Sequence, residues 1–478
     1  MSEHRNLILA SVMIGMLMSA IDTTIVILAL PTITESLKAP FLDTIWVILI
    51  YLLVLAALTT QLGRLGDIFG RGRAFNIGFL LFIAGSAASG AAPDARFLIA
   101  ARAFQGLGAV LIQGNSSAIV ADYFEPSQRG RAFGITSMGW NIGGVLGIVL
   151  GGIITTFIGW RYIFYINVPV GLIGFALGLK YIRDNRRTET KIDYAGTVLL
   201  VLLLSLISYG AVEIAGNGVK ASYIAMVLVG LVLLVPFVLI ERRVRDPVIS
   251  MSAFREKLLS LSLTAATLQA VGFLSVLFLI IMYLQGIRGM TPLDASLLLV
   301  PGYVVSSLLA PRMGRLSDRV GPRLIAGTGI ALMAVGVLVY LQMGVSTSIY
   351  IVVLGSIVTG IGGAMFWPSN NSAVMAGAPR NLYGSISGLL RTLTNIGTLM
   401  SYVIAISIAA LSVPRYVAFE VFLGVTKLVG GVSSKFMVGI HAALIASLVI
   451  LVGAAIASFS GGNGRARQDY RPESAGKK

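Results

Sequence analysis

Gly63-Arg64-Leu65-Gly66-Asp67-Ile68-Phe69-Gly70-Arg71 is echoed 251 residues later by Gly314-Arg315-Leu316-Ser317-Asp318-Arg319-Val320-Gly321-Pro322-Arg323. Each stretch is a short charged segment between two long apolar runs. A second echo has a similar spacing: Asn115-Ser116-Ser117-Ala118 precedes Gly130 as Asn370-Asn371-Ser372-Ala373 precedes Gly384. Helix connections that recur at one long period mark a duplicated bundle. In membranes, paired halves with a site between them are the architecture of secondary transporters.

Composition supports a lipid solvent. The 478 residues are 56% hydrophobic and only 12% charged, against roughly 25% charged in a soluble domain. The formal charge of +16 would point to nucleic acid in a soluble protein. Here the charges sit in short loops between apolar runs, so membrane topology accounts for them and no nucleic-acid partner is expected. The absence of cysteine removes disulfides, thiol catalysis and cysteine metal sites. The only histidines, His4 and His441, lie far apart, so no metal site and no serine–histidine triad can be assembled.

Fourteen apolar runs follow one another, from 7–30 to 435–459, each of the roughly 18–25 residues that a helix needs to cross the hydrocarbon. Placing residues 1–6 inside puts 26 of the 36 Lys and Arg on that face; eight fall outside, and Arg102 and Arg391 lie within runs. Basic loops stay in the cytoplasm, so both termini are expected there. The first run is too long for a secretory signal and lacks a small-residue cleavage site. Residues 412–434 form the longest external connection, with room for a short interfacial helix.

The 251-residue offset carries Leu258 onto Leu7 and thereby divides the chain. The expected fold is an all-α membrane protein with 14 transmembrane helices: two six-helix bundles related by duplication plus two inserted central helices. The expected boundaries are 1–180 for the N-terminal bundle, 181–257 for inserted helices 7 and 8 with their basic linkers, 258–460 for the C-terminal bundle, and 461–478 for a disordered basic tail.

Asp22 is the one acid that this reading places well inside a run. A carboxylate near mid-membrane costs about 2.5–3.5 kcal/mol on insertion scales, so its presence points to work, here the uptake and release of a proton. The competing explanation is a structural acid satisfied by neighbouring helices. Arg102 lies at a similar depth, roughly 8–12 Å below the outer surface at about 1.5 Å per residue, which permits an ion pair. Arg391, about five residues into helix 13, reads instead as a side chain reaching out to the interface.

The repeated loops have a physical logic. Gly63 and Gly70, with Gly314 and Gly321 in the second copy, allow tight turns. Asp67 can accept from the first amides of helix 3 or pair with a basic residue, and Arg71 closes the motif. With Asp318 and Arg323 in matching places, the loops are expected to latch one conformation; simple topological anchoring is the plainer alternative. In helix 5, Gly143, Gly147 and Gly151 continue a four-residue spacing from Gly139, and Gly144 and Gly152 lie beside it. Such a face lets another helix approach closely, for ordinary packing or for a movable seal. Gln269, Phe273, Tyr283, Trp367 and Asn395 are the polar or aromatic residues of the second half that could face a substrate cavity.

These residues together resemble the major facilitator superfamily, specifically its fourteen-helix drug:proton antiporter branch. Asp22-Thr23-Thr24-Ile25-Val26 through Pro31 is similar to that branch's first-helix motif, and residues 63–73 to the superfamily's loop motif. Arg102-Ala103-Phe104-Gln105-Gly106 with Gly108 resembles the fourth-helix motif. Gly143-x-x-x-Gly147-Ile148-x-x-Gly151-Gly152 resembles the antiporter motif, with Ile148 where proline is usual. Trp160-Arg161-Tyr162-Ile163-Phe164 through Asn167-Val168-Pro169-Val170-Gly171 follows as the branch expects. The resemblance implies a multi-pass transporter of the plasma membrane that exports small amphipathic or hydrophobic compounds by alternating access. Its energy source is the proton gradient, with no cofactor. Its partners are the substrate, protons and the lipid bilayer, with no obligate protein partner. A proton-linked transporter of one defined metabolite, peptide or siderophore is the alternative, and a non-transporting sensor a more distant one. An enzyme has almost no catalytic inventory here, and no Gly-x-x-x-x-Gly-Lys-[Ser/Thr] loop for an ATP-driven pump is present.

Overall fold

The computed structural model describes residues 4–39, 41–184, 191–378, 383–411 and 432–460. The tail at 461–478 and residues 412–431 of the expected 412–434 connection lie outside these residues, and 432–434 begin the last helix. Every regular element among those described is helical. Lipid leaves no alternative for a chain without strand pairing, because each backbone N–H and C=O must find its partner within its own segment.

Fourteen rods follow in order. The first six are α1 (Arg5–Leu37), α2 (Phe41–Phe69), α3 (Arg71–Gly90), α4 (Ala95–Tyr123), α5 (Pro126–Phe157) and α6 (Tyr162–Tyr181). The central pair is α7 (Tyr194–Asn217) and α8 (Ala221–Glu241). The last six are α9 (Lys257–Ile287), α10 (Pro292–Val320), α11 (Pro322–Tyr340), α12 (Tyr350–Gly377), α13 (Tyr383–Leu411) and α14 (Val432–Phe459). Thirteen of them are long and apolar enough to cross a membrane. The remaining rod, α3, has 20 residues, enough for about 30 Å at 1.5 Å per residue.

The termini and breaks of these rods have local causes. Asp94 accepts from Phe97 N at 2.8 Å to cap α4, and Asp193 accepts from Gly196 N at 2.8 Å to cap α7. Glu256 and Thr291 do the same for α9 and α10. α6 is interrupted at Ile166 and α8 at Leu233; Pro169 and Pro236 follow three residues later, where neither can donate to the preceding turn. α9 breaks at Leu274–Ser275 without a proline. There the Ser275 amide turns to Ser401 Oγ on α13 at 3.0 Å, and the two serine hydroxyls bond at 2.9 Å.

The duplication is visible in the packing. α1 lies along α5 as α9 lies along α13, α3 along α4 as α11 along α12, and α2 along α4 as α10 along α12. The two halves meet along two equivalent seams, α5 against α10 and α2 against α13. The inserted rod α7 leans on α2 and α13 together, and α8 packs on α7.

One end of the bundle carries the two glycine-flanked loops and most of the basic residues; it is called the basic end below. At the opposite end the halves are tied by Gln285 Nε2 donating to Leu28 O at 3.0 Å and by the Leu293 amide donating to Thr156 Oγ1 at 3.2 Å. Along the α2/α13 seam, Thr60 and Thr392 hydroxyls lie 2.6 Å apart, and Asn395 Nδ2 donates to Thr59 Oγ1 at 3.1 Å.

Candidate functional site

Asp22 and Arg102 do pair. Arg102 Nη1 donates to Asp22 Oδ2 at 2.5 Å, and both side chains are sealed from solvent, at 0% and 1% exposure. The same nitrogen donates to Gln105 Oε1 at 2.7 Å, while Gln105 Nε2 donates to the other Asp22 oxygen at 2.8 Å. Gln105 reaches on to Ser86 Oγ at 3.1 Å; Ser86 donates to Phe164 O at 2.9 Å and accepts from Asn167 Nδ2 at 3.1 Å. Arg102 Nε donates to Val47 O at 3.2 Å, and its guanidinium stacks 4.2 Å from the Tyr51 ring centroid. Five rods of the first half, α1, α2, α3, α4 and α6, therefore converge on one ion pair. Both carboxylate oxygens are satisfied, the condition under which a buried pair is tolerated. Arg102 is three residues from Gln105, so one face of α4 presents both.

The first loop is also wired together. Asp67 Oδ1 accepts from Arg71 Nε at 2.7 Å, and Arg71 Nη1 lies 2.7 Å from Asp122 Oδ1 on α4. Of the two roles open to Asp67, pairing with a base is the one adopted. The first amides of α3 are instead capped by Asp184, which accepts from Gly72 N at 2.8 Å and Arg73 N at 3.3 Å and pairs with Arg73. Gly70 sits at φ +116°, and a Cβ there would lie 2.3 Å from Asp184 Cγ, so this turn requires glycine twice over. Gly63 abuts the Gly114 backbone of α4. In the second loop Gly321 repeats the φ of +116° with nothing within 4 Å of a built Cβ, and Gly314 faces Pro368. The Asp318 side chain lies outside the described residues. Arg323 is partly buried at the start of α11.

The helix 5 glycines form two faces. Gly139, Gly143, Gly147 and Gly151 lie on α1: a Cβ would meet Met13 O at 2.8 Å, Leu17 O at 2.5 Å, Thr24 Oγ1 at 2.0 Å and Ile25 Cγ1 at 3.0 Å in turn. Gly152 turns to the other half, where a Cβ would come within 2.3 Å of Ser296 Oγ on α10, and Gly144 lies near Tyr303. The close approach expected from the spacing is present, and Ile148 sits wholly buried in an unbroken rod.

The five residues proposed to face a cavity separate. Asn395 lies on the α2/α13 seam, bonded to Thr59. Phe273 and Trp367 are half-buried, the first at the break of α9 and the second edge-on to Phe366 at 5.1 Å. Gln269 is fully enclosed in the second half, its Nε2 directed at Met333 Sδ at 3.5 Å. Tyr283 is equally enclosed, and its hydroxyl donates to Gly344 O at 2.9 Å, closing the end opposite the basic one.

Other groups escaped the sequence reading. Glu213 is a further buried acid, in α7, which runs five residues beyond the expected stop at 212; it accepts from Asn217 Nδ2 at 2.6 Å. Asp122 and Asp184 had no local signal, because their partners are far away in sequence. Arg391 does not reach out to the interface: its guanidinium lies over the Trp140 ring, 5.0 Å from the centroid, across from the other half.

Comparison with known proteins agrees with this architecture. The family model described as Major Facilitator Superfamily matches residues 12–402. Multidrug resistance protein Stp of Mycobacterium tuberculosis is 31% identical over 416 residues, covering 86% of this chain and 77% of that protein. Riboflavin transporter RibZ of Clostridioides difficile is 28% identical over 399 residues, covering 82% of this chain and 86% of that protein. Among solved structures, a bacterial homolog of the human lysosomal transporter Spinster, in an inward-facing and unoccupied conformation, superposes with a TM-score of 0.66 at 16% identity, covering 96% of this chain and 97% of that one.

Proposed function

Because the chain belongs to the Major Facilitator Superfamily, we propose that it exports small amphipathic or hydrophobic compounds in exchange for protons. It works by alternating access in the plasma membrane, with both termini in the cytoplasm. The similarity to a multidrug resistance protein over most of both chains supports the substrate range. The similarity to a riboflavin transporter keeps a second reading open, in which one defined metabolite is the passenger.

The observation that carries proton coupling is the sealed Asp22–Arg102–Gln105 cluster. Protonating Asp22 removes the negative charge that holds the guanidinium and frees α1 from α4. The adjoining residues of α1, Ile21 and Thr24, rest on Gly147 of α5, and α5 in turn touches Ser296 of α10 through Gly152. A shift of α1 is thus passed across glycine contacts to the second half. Release of the proton restores the ion pair and the starting fit.

Substrate-induced proton movement in vesicles tests this directly. Asp22→Asn keeps the size and polarity of the side chain but cannot carry a proton. The variant is expected to lose gradient-driven export while still binding substrate. Proton movement at the parent stoichiometry in Asp22→Asn places the coupling group elsewhere.

A further inference from the structure

Two arginines lie within the spans, and their surroundings are opposite. Arg102 is matched by Asp22 and Gln105. Arg391 has no carboxylate within ion-pairing distance among the described residues. Its guanidinium instead faces the Trp140 ring at 5.0 Å. It lies eight residues into α13, about 12 Å from that rod's basic end at 1.5 Å per residue. A cation at such a depth is costly, and one without an acid marks a pathway or a waiting partner.

The position of the pair narrows what that partner is. Trp140 belongs to α5 and Arg391 to α13, so the contact crosses from one half to the other. Arg391 is half-buried, so part of its fork of donors remains accessible beside the Trp140 ring. One turn along α5 from Trp140, Gly144 adjoins the Tyr303 ring. One turn along α13 from Arg391, Asn395 faces Thr59. A rigid fork of N–H donors matches a carboxylate or sulfonate, and the indole and phenol rings offer flat apolar surface.

We propose that Arg391 and Trp140 bind the acidic head and planar body of an amphipathic organic anion, which makes such anions the preferred passengers. This rests on the export reading above and adds the charge of the substrate to it.

The test uses purified full-length protein in lipid nanodiscs and two radiolabelled probes of matched shape, 2-naphthoate and 2-naphthylmethylammonium. The parent protein is expected to favour the naphthoate. Arg391→Gln should weaken naphthoate binding about tenfold or more, the scale of one charge-assisted contact, and leave the ammonium probe within about twofold. Arg391→Lys should retain part of the affinity and controls for folding, and Trp140→Ala should weaken naphthoate more than Trp140→Phe. Equal parental affinity for both probes, or naphthoate affinity unchanged in Arg391→Gln, overturns the proposal. A separate arm measures gradient-driven uptake into everted vesicles. Arg391-dependent naphthoate binding without movement of either probe removes the export reading and leaves the site. Movement of the ammonium probe alone removes the anionic substrate class and leaves export.

Discussion

The two repeated loops share a backbone turn, and the first carries a traced network of charges. Gly70 and Gly321 both turn at φ +116°, with ψ of 126° and 129°. Around the first, Asp67, Arg71, Asp122, Asp184 and Arg73 join α2, α3, α4 and the segment after α6. In the second, the 251-residue offset puts Pro322 in the place of Arg71, and the spacing of the Asn echo puts Gly377 in the place of Asp122. Ser317 Oγ and Asn370 Nδ2 are buried there without a hydrogen-bond partner among the described residues. The contrast extends into the bundles: the same offset carries Asp22 onto Phe273. Duplication preserved turns and helix contacts, which depend on shape. The charge network traced above, from Asp22–Arg102 to Asp184–Arg73, belongs to the first copy.

The sharpest way to break this contrast is to unpair the first half and charge the second. Arg102→Leu leaves Asp22 buried with its ion pair gone and should cost about 3–5 kcal/mol. Phe273→Asp installs an acid where no arginine answers it and should cost about 2.5–3.5 kcal/mol. Thermal unfolding in detergent reads both. If Arg102→Leu melts with the parent, the ion pair is not what holds the five rods together.

The helix 5 glycines sharpen the comparison next, because α13 is the counterpart of α5. Gly147→Leu collides with Thr24 and the Ile21 carbonyl, and overpacking of this kind costs about 1–3 kcal/mol. Transport should fail even where the protein inserts. Parental exchange rates in Gly147→Leu remove any need for close approach of α1 and α5.

A smaller effect separates the loops themselves. Asp67→Asn breaks a partly exposed pair with Arg71, about 0.2–1 kcal/mol of bias, or up to roughly fivefold in turnover. Asp318→Asn should lower turnover less. Vesicle flux normalised to membrane protein ranks them, and equal losses erase the asymmetry between the copies. The smallest effect has the opposite sign. Gly388 on α13 has nothing within 4 Å of a built Cβ, so Gly388→Ala should stabilise by about 0.4–1 kcal/mol. A lowered melting temperature in Gly388→Ala shows that this rod needs its glycine for something other than room.

What was legible in the sequence follows from the cost of breaking the rules of lipid. A spanning helix needs length, so the fourteen rods stand out. A charge inside one is expensive, so Asp22 and Arg102 were conspicuous, and their depths already allowed the bond that forms. Glycines four apart announced a close helix contact on α5, and the structure supplies α1 as the partner. The misses share a different cause: their partners come from distant segments. Asp184 caps α3 from 112 residues away, and nothing near Gly72 announces it. Tyr283 looked like a cavity aromatic because the backbone carbonyl of Gly344 that accepts its hydroxyl lies on another loop. Gln269 gave no sign in the sequence of its neighbour Met333, 64 residues away, at which its Nε2 is directed. Glu213 was hidden by a helix end placed at 212 when the rod runs to Asn217.

The inserted rod α7 lies along α2 and α13, one from each half, and has no equivalent beside α5 and α10 among the described residues. The two seams are alike by ancestry and unlike in their surroundings. Leu297, Val304 and Leu308 of α10 and Ile153 of α5 present bare apolar surface, whereas the opposite seam has a protein neighbour. Acyl chains therefore meet the seam helices directly on one flank and reach the other seam through α7 and α8, so a change in lateral pressure or chain order acts on the two seams unequally.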